Sequence, residues 1–248
     1  MRATFLLAMF ASLGLSSAGQ CSEIKLLASA ALKYAYMELL PRFEKETGHK
    51  VSVAWSSSPD IQKRVAGGEA ADVLVLSEVG AEELINVGKI LPETRTLFAK
   101  SGIGVAVRAG APRPDVSSAG SLKATLLAAK TVAYSSGASG SYIVTMIEKL
   151  GIAVDIKPKV VNVKTAEPVG EVVARGDAEI GFHQLSELIP VKGIEIVGPL
   201  PPGLQHLTVF SGGAHVAASD PAAARALVKF LAAPAALEAL TKHGLEPG

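Results

Sequence analysis

Apolar and polar positions change their period repeatedly along this chain. Glu23–Ser29 (EIKLLAS) is an apolar run of strand length, and in the following segment, LKYAYMELLPRFEKETGH, Leu32, Tyr36, Leu39, Leu40 and Phe43 recur at helical spacing before Gly48. Pro41 inside that helix predicts a kink or a boundary. KVSVAW then reads as strand, SPDIQKRVAGG as helix, ADVLVLS as strand and EVGAEELINVG as helix. Strands and helices in strict alternation predict a parallel sheet covered by helices on both faces.

A long extended stretch, LFAKSGIGVAVRAGAP, interrupts the alternation, and a second set follows. Its helices are SLKATLLAAK, GSYIVTMIEKLG and EPVGEVVARG, and its strands TVAYS, KPKVVNV and AEIGFH. A second extended stretch, HLTVFSGGAHVAAS, leads into the helices DPAAARALVKFLAAP and AALEALTKHG. Two sets with two extended crossings predict a two-lobed α/β protein, each lobe a mostly parallel sheet with flanking helices, joined by a two-strand hinge. Lobe 1 is expected to be discontinuous, over 22–103 and 207–248, with lobe 2 over 104–206.

The first residues, MRATFLLAMFASLGLSSAGQCSE, carry one positive charge at Arg2, an apolar run from Phe5 to Leu15 and then small residues. That is the pattern of a secretory signal over 1–18, cleaved near Ala18, and its apolar run is too short to span a bilayer. Gln20 stands before Cys21 where a lipid-anchored protein needs a small residue. Cys21 is the only cysteine, which excludes an internal disulfide. The net charge of +1 comes from interspersed residues of both signs, so no basic face for nucleic acid is expected.

Candidate chemistry concentrates where strands give way to helices. Ser29-Ala30-Ala31, Ser56-Ser57-Ser58, Ser135–Ser141 (SSGASGS) and Lys164-Thr165-Ala166 are rich in hydroxyls or small residues. In a parallel α/β sheet such junctions face one crevice and aim helix N-termini at it, which together describe an anion site. A single serine there is more often a helix cap, and only the coincidence of several favours binding. Gly137 and Gly140 allow close backbone approach. SSGASGS lacks the Gly-Lys-Ser/Thr of a nucleotide loop and the flanking pattern of a hydrolase elbow, which disfavours Ser139 as a nucleophile served by His183 or His206. The five histidines lack metal-ligand spacing. Trp55 reads as packing that also forms one crevice wall.

SSSPDIQKRVAGGEAADVLVLS, GASGSYIVTMIEKLG, VVARGDAEIGFHQLSE and the C-terminal ALVKFLAAPAALEALTKHG resemble segments of the periplasmic molybdate-binding proteins of ABC transporters. The resemblance covers the whole mature chain. It implies a clamp that closes on an oxyanion held by hydroxyls and backbone amides without a salt bridge. Ser58 matches a ligand serine, Ser139 a backbone N–H donor and Ala166 another. The family's first-lobe serine falls on Ala31, with Ser29 two residues away, and its second-lobe tyrosine falls on Gln184. The expected ligand set is therefore Ser29, Ala31, Ser57, Ser58, Ser139, Gly140, Ala166 and Gln184. The implied protein is a periplasmic, monomeric substrate-binding protein that passes molybdate or tungstate to an inner-membrane permease, with no catalytic residue, cofactor or metal cation. The alternative is a carboxylate-binding protein or an isomerase of an unsaturated tricarboxylate, since some proteins similar to this family are aconitate isomerases. That chemistry needs a base, for which His183, Glu167 and Glu187 are candidates, and a cation, for which Arg64 and Arg175 are candidates.

Overall fold

The computed structural model describes residues 21–161, 163 and 167–248. The expected secretory signal and Lys164–Ala166 lie outside the described residues. Strand β1 (Glu23–Ser29) buries Ile24, Leu26, Leu27 and Ala28, the near-continuous burial of a strand covered on both faces. One 3-10 turn over Ala30–Leu32 leads into helix α1 (Lys33–Thr47). Pro41 neither ends nor splits α1. It lies on the exposed side, while Ala35, Tyr36, Leu39, Leu40 and Phe43 anchor the other face, and that burial offsets the roughly 3 kcal/mol that an interior proline costs. The helix stops at Gly48, whose φ of 78° forms a left-handed cap.

The alternation continues through β2 (Lys50–Ser56), α2 (Ser58–Ala66), β3 (Val73–Ser77), α3 (Glu78–Asn86) and β4 (Thr96–Arg108). The second set comprises α4 (Ala119–Ala128), β5 (Val132–Tyr134), α5 (Ala138–Lys149), α6 (Ala153–Ile156), β6 (Val160–Val161), α7 (Val169–Arg175), β7 (Ile180–Gln184), α8 (Leu185–Leu188) and β8 (Ile194–Pro199). The chain closes with β9 (Leu207–Ala214), α9 (Pro221–Leu231), α10 (Leu237–Lys242) and β10 (Glu246–Pro247). The strand expected over KPKVVNV shrinks to Val160–Val161, because Lys157–Lys159 form a helical turn instead.

The strands follow the order β2-β1-β3-β9-β4-β7-β5-β6, with β8 and β10 also paired to β4. β1 runs parallel to β2 and β3, and β5 parallel to β6 and β7. β4 and β9 are antiparallel to their neighbours, so each lobe is a parallel centre with antiparallel additions. β4 serves both lobes: its residues up to Gly102 pair with β9, and from Ile103 onward they pair with β7. The second passage is clasped to the first by Gln205, whose Oε1 accepts from Ile103 N–H and whose Nε2 donates to Ile103 C=O, both at 3.0 Å. A side chain thus supplies the strand-like pairing where the β9 ladder ends.

Each lobe has its own core. Tyr36, Phe43 and Phe210 pack with Leu227 and Leu240 from α9 and α10 in one, and Phe182 with Leu122, Ile143 and Met146 in the other. A further cluster of Ile61, Leu74 and Leu84 lies under α2 and α3. No helix among the described residues is long and apolar enough to cross a membrane.

Candidate functional site

The carboxyl ends of β1, β2, β5 and β7 open on one cleft of about 290 Å³ between the lobes. The starts of α1, α2 and α5 converge there, each with N–H groups that have no intrahelical acceptor. The two serine-rich junctions meet across it: a Cβ built on Gly137 would lie 3.8 Å from Ser57 Cβ.

Neighbouring serines of the first-lobe junction do different work. Ser57 caps α2, its Oγ accepting from Asp60 N–H at 3.3 Å and donating to Asp60 Oδ2 at 2.7 Å. Ser58 is buried, and its Oγ accepts from Ser77 N–H at 2.8 Å. One lone pair is engaged by the backbone and the Oγ proton has no acceptor among the described residues, so the Ser58 hydroxyl can donate into the cleft that it lines. Ser29 and Ala31 line the same wall, and Ser29 makes no side-chain cap bond to the turn that follows it. Trp55 also lines the wall while packing near Tyr36, ring centroids 6.4 Å apart.

On the second-lobe side, Ser139 lines the cleft near the start of α5, and its Oγ pairs with Ser135 Oγ at 3.2 Å rather than with a histidine. Gly140 does not line the cleft. A Cβ there would fall 1.5 Å from the Ser135 carbonyl oxygen, so this glycine lets the loop lie against the helix. Gln184 ends β7 and is buried. Its Nε2 donates to Thr208 Oγ1 at 2.7 Å, and its Oε1 has no protein partner. Ala166 lies outside the described residues.

β7 runs straight into α8, and that join sets His183 and Glu187 side by side, with His183 Nε2 3.4 Å from Glu187 Oε2. Both line the cleft, and His183 Nδ1 is buried without a partner. Burial pushes the Glu187 carboxyl above its ordinary range, and the charge of a protonated His183 opposes that rise. Glu167 also lines the cleft and accepts from Arg175 Nη2 at 2.7 Å.

Sequence reasoning missed Lys33 and Tyr34. Both line the cleft, with Lys33 Nζ 5.8 Å from the Tyr34 ring centroid and the Tyr34 ring stacked on His243 at 6.4 Å. The signal was positional, since Lys33 stands only four residues past the end of β1. Arg64 and Arg175, the cations expected for a carboxylate, do not line the cleft; Arg64 is tied to Glu69, and Arg175 to Glu167 and Asp177. His206 stacks on Tyr142 at 4.5 Å, away from the lining residues.

The family profile of bacterial extracellular solute-binding proteins matches residues 24–246. An aconitate isomerase from a Pseudomonas species is 37% identical over 247 residues, covering 96% of this chain and 93% of that protein. The molybdate-binding protein ModA of Azotobacter vinelandii is 27% identical over 240 residues, covering 93% of this chain and 92% of that protein. The solved periplasmic molybdate-binding protein of Azotobacter vinelandii shares the fold, with a TM-score of 0.72 at 20% identity over 91% of this chain and 99% of that one.

Proposed function

The chain belongs to the bacterial extracellular solute-binding protein family, and on that premise we propose that it binds an unsaturated tricarboxylate of the aconitate class and shifts that ligand's allylic proton. The carrying observation is the His183–Glu187 pair, an acid–base couple of a buried imidazole and a half-buried carboxyl that opens on a cleft whose other wall offers hydroxyls, helix ends and a lysine. Simple capture of an ion does not call for such a couple. This reading departs from the expectation of a binding protein without catalysis, and the aconitate isomerase at 37% identity supports the departure.

Room is compatible with it: the cleft of about 290 Å³ lies near the lower end of the roughly 300–1,000 Å³ of small-molecule pockets.

The chemistry needs only a proton carrier. Glu187 removes a proton from the methylene carbon of the ligand, and the electron pair spreads over the three-carbon allyl unit toward the neighbouring carboxylate. The proton returns to the former vinylic carbon, so the double bond moves one position and the product is again an aconitate, cis or trans. Nothing is oxidised, reduced or hydrated. A carboxyl raised by burial is a better base for carbon than an ordinary one, and His183 orients it and steadies its charged form through Nε2. Ser29, Ser58 and the start of α5 hold carboxylates meanwhile.

A second reading, capture of molybdate or tungstate for a permease in a periplasmic setting, draws on the free Ser58 proton and the molybdate-binding relative. One experiment separates them. Protein is incubated with cis-aconitate in deuterated buffer and followed by proton NMR, beside a thermal-shift panel that includes molybdate. The proposal expects trans-aconitate to form with deuterium incorporated. Absence of turnover, with molybdate raising stability by the ~2.7 kcal/mol due at a hundredfold excess over Kd, would overturn it.

A further inference from the structure

We propose that Lys33 is the residue by which this cleft counts carboxylates, its ammonium taking the one that a tricarboxylate has and a dicarboxylate lacks. The inference rests on the carboxylate reading above, but it concerns binding alone and does not need the catalytic step.

Charge around the cleft points to this residue. Glu167 pairs with Arg175 at 2.7 Å, an arginine it shares with Asp177, and Glu187 lies beside His183. Lys33 lines the same cleft, is half-buried, and forms no ion pair among the described residues. Among the described residues, Lys33 is thus the one lysine or arginine that lines the cleft, and its ammonium has no carboxylate beside it until an anion arrives.

Placement separates this charge from the hydroxyl donors. Lys33 is the first residue of α1, one helical turn beyond Ser29, and its Nζ stands over the Tyr34 ring at 5.8 Å. That ring is backed by His243, whose Nε2 lies 3.2 Å from Glu38, and Glu38 also accepts from Lys242 at 2.8 Å. The buttress from α10 gives the lysine stem an aromatic wall on which to rest. A ligand satisfied by Ser29, Ser58 and the helix ends leaves Lys33 unused, and only a further carboxylate engages it.

Titration calorimetry of the full chain tests the proposal with four probes. These are cis-aconitate, glutaconate (aconitate without its central carboxylate), itaconate (aconitate without a terminal one) and molybdate. The native protein should prefer aconitate to at least one of the two dicarboxylates. Lys33→Met should weaken aconitate roughly 10- to 100-fold, the loss of a charged hydrogen bond, and leave that dicarboxylate within about threefold of its native affinity. Lys33→Arg should retain the preference, and a melting curve for each variant confirms that it is folded. The proposal is overturned if Lys33→Met weakens every probe alike, if aconitate binding is unchanged, or if the native protein binds no carboxylate. Carboxylate discrimination lost in Lys33→Met without any isomerisation in the native protein would support Lys33 and sink the catalytic reading.

Discussion

The two walls of the cleft are built from the same kind of junction and hold opposite chemistry. On the first-lobe wall the polar groups have something left to give: Ser58 accepts from Ser77 N–H and has its proton free, and Lys33, resting over the Tyr34 ring, forms no ion pair among the described residues. On the second-lobe wall most polar groups hold one another, Ser135 with Ser139 and His183 with Glu187, and what is left over, His183 Nδ1 and Gln184 Oε1, is uncharged donor or acceptor capacity rather than a free cation. The difference follows from how each strand meets its helix. The turn over Ala30–Leu32 separates β1 from α1 and leaves polar groups facing the cleft, whereas β7 passes into α8 without a residue between them and packs His183 against Glu187. One wall is suited to capture, and the other to holding a proton in a fixed place.

The largest test of that division is Glu187→Gln. If the second-lobe wall carries the proton, turnover of aconitate should fall by about 10²- to 10⁴-fold, while affinity measured by calorimetry stays within about threefold. Equal losses of both would erase the distinction between the walls. Next in size is Ser58→Ala, which should weaken ligand binding by about 1.5–3 kcal/mol, because a hydrogen bond to a charged group is lost and the Ser77 N–H loses its acceptor. Its neighbour is the control. Ser57→Ala removes the cap of α2, so it should lower stability by about 1 kcal/mol and leave affinity nearly unchanged.

Glycines of the second-lobe junction sharpen the comparison at the level of packing. Gly140→Ala must push the Ser135 carbonyl away from a Cβ only 1.5 Å from its oxygen, and should cost about 1–3 kcal/mol in urea unfolding. At Gly137 the same added methyl would find its nearest neighbours at 3.5 and 3.8 Å, so Gly137→Ala should be close to neutral for stability. A similar cost at both positions would mean that the loop, rather than one steric contact, sets the second-lobe wall.

These positions also show what was legible in the chain. β1 and β3 stand out as apolar runs because both of their faces are covered, and the serine junctions stand out because hydroxyls before helices are informative wherever they occur. β8 escaped notice, since it is half-buried along Ile194–Gly198 and ends in Gly198 and Pro199, so it shows neither alternation nor a continuous apolar run. Gly140 was legible as a place of close approach, yet what approaches it is the Ser135 carbonyl rather than a ligand. Lys33 was hidden for a different reason. A lysine in the first turn of a helix looks like a solvated side chain until the second lobe closes a wall opposite it. His183, Glu167 and Glu187 were named as bases from composition near the crevice; the pairing of two of them depends on β7 meeting α8 without a loop.

The smallest effect concerns the proton itself, read through stability rather than turnover. Burial raises the Glu187 carboxyl above its ordinary value, so the folded protein holds that proton more tightly than the unfolded chain does. The stability this brings is complete below the ordinary carboxylate range and is lost as pH rises through the raised folded value. Glu187→Gln is neutral at every pH and escapes that loss. It should therefore melt above the native protein at about pH 8, and the two should converge at about pH 3, below the ordinary carboxylate value, where the native carboxyl is protonated in both states. A protonated His183 beside the carboxylate works in the opposite direction and narrows the gap where both are charged. Repeating the Glu187→Gln comparison in a His183→Gln background isolates the burial contribution, because no imidazolium then faces the carboxylate. If Glu187→Gln melts below the native protein at about pH 8, the carboxylate is held as a stabilising ion pair, and the second-lobe wall is a structural bridge rather than a proton store.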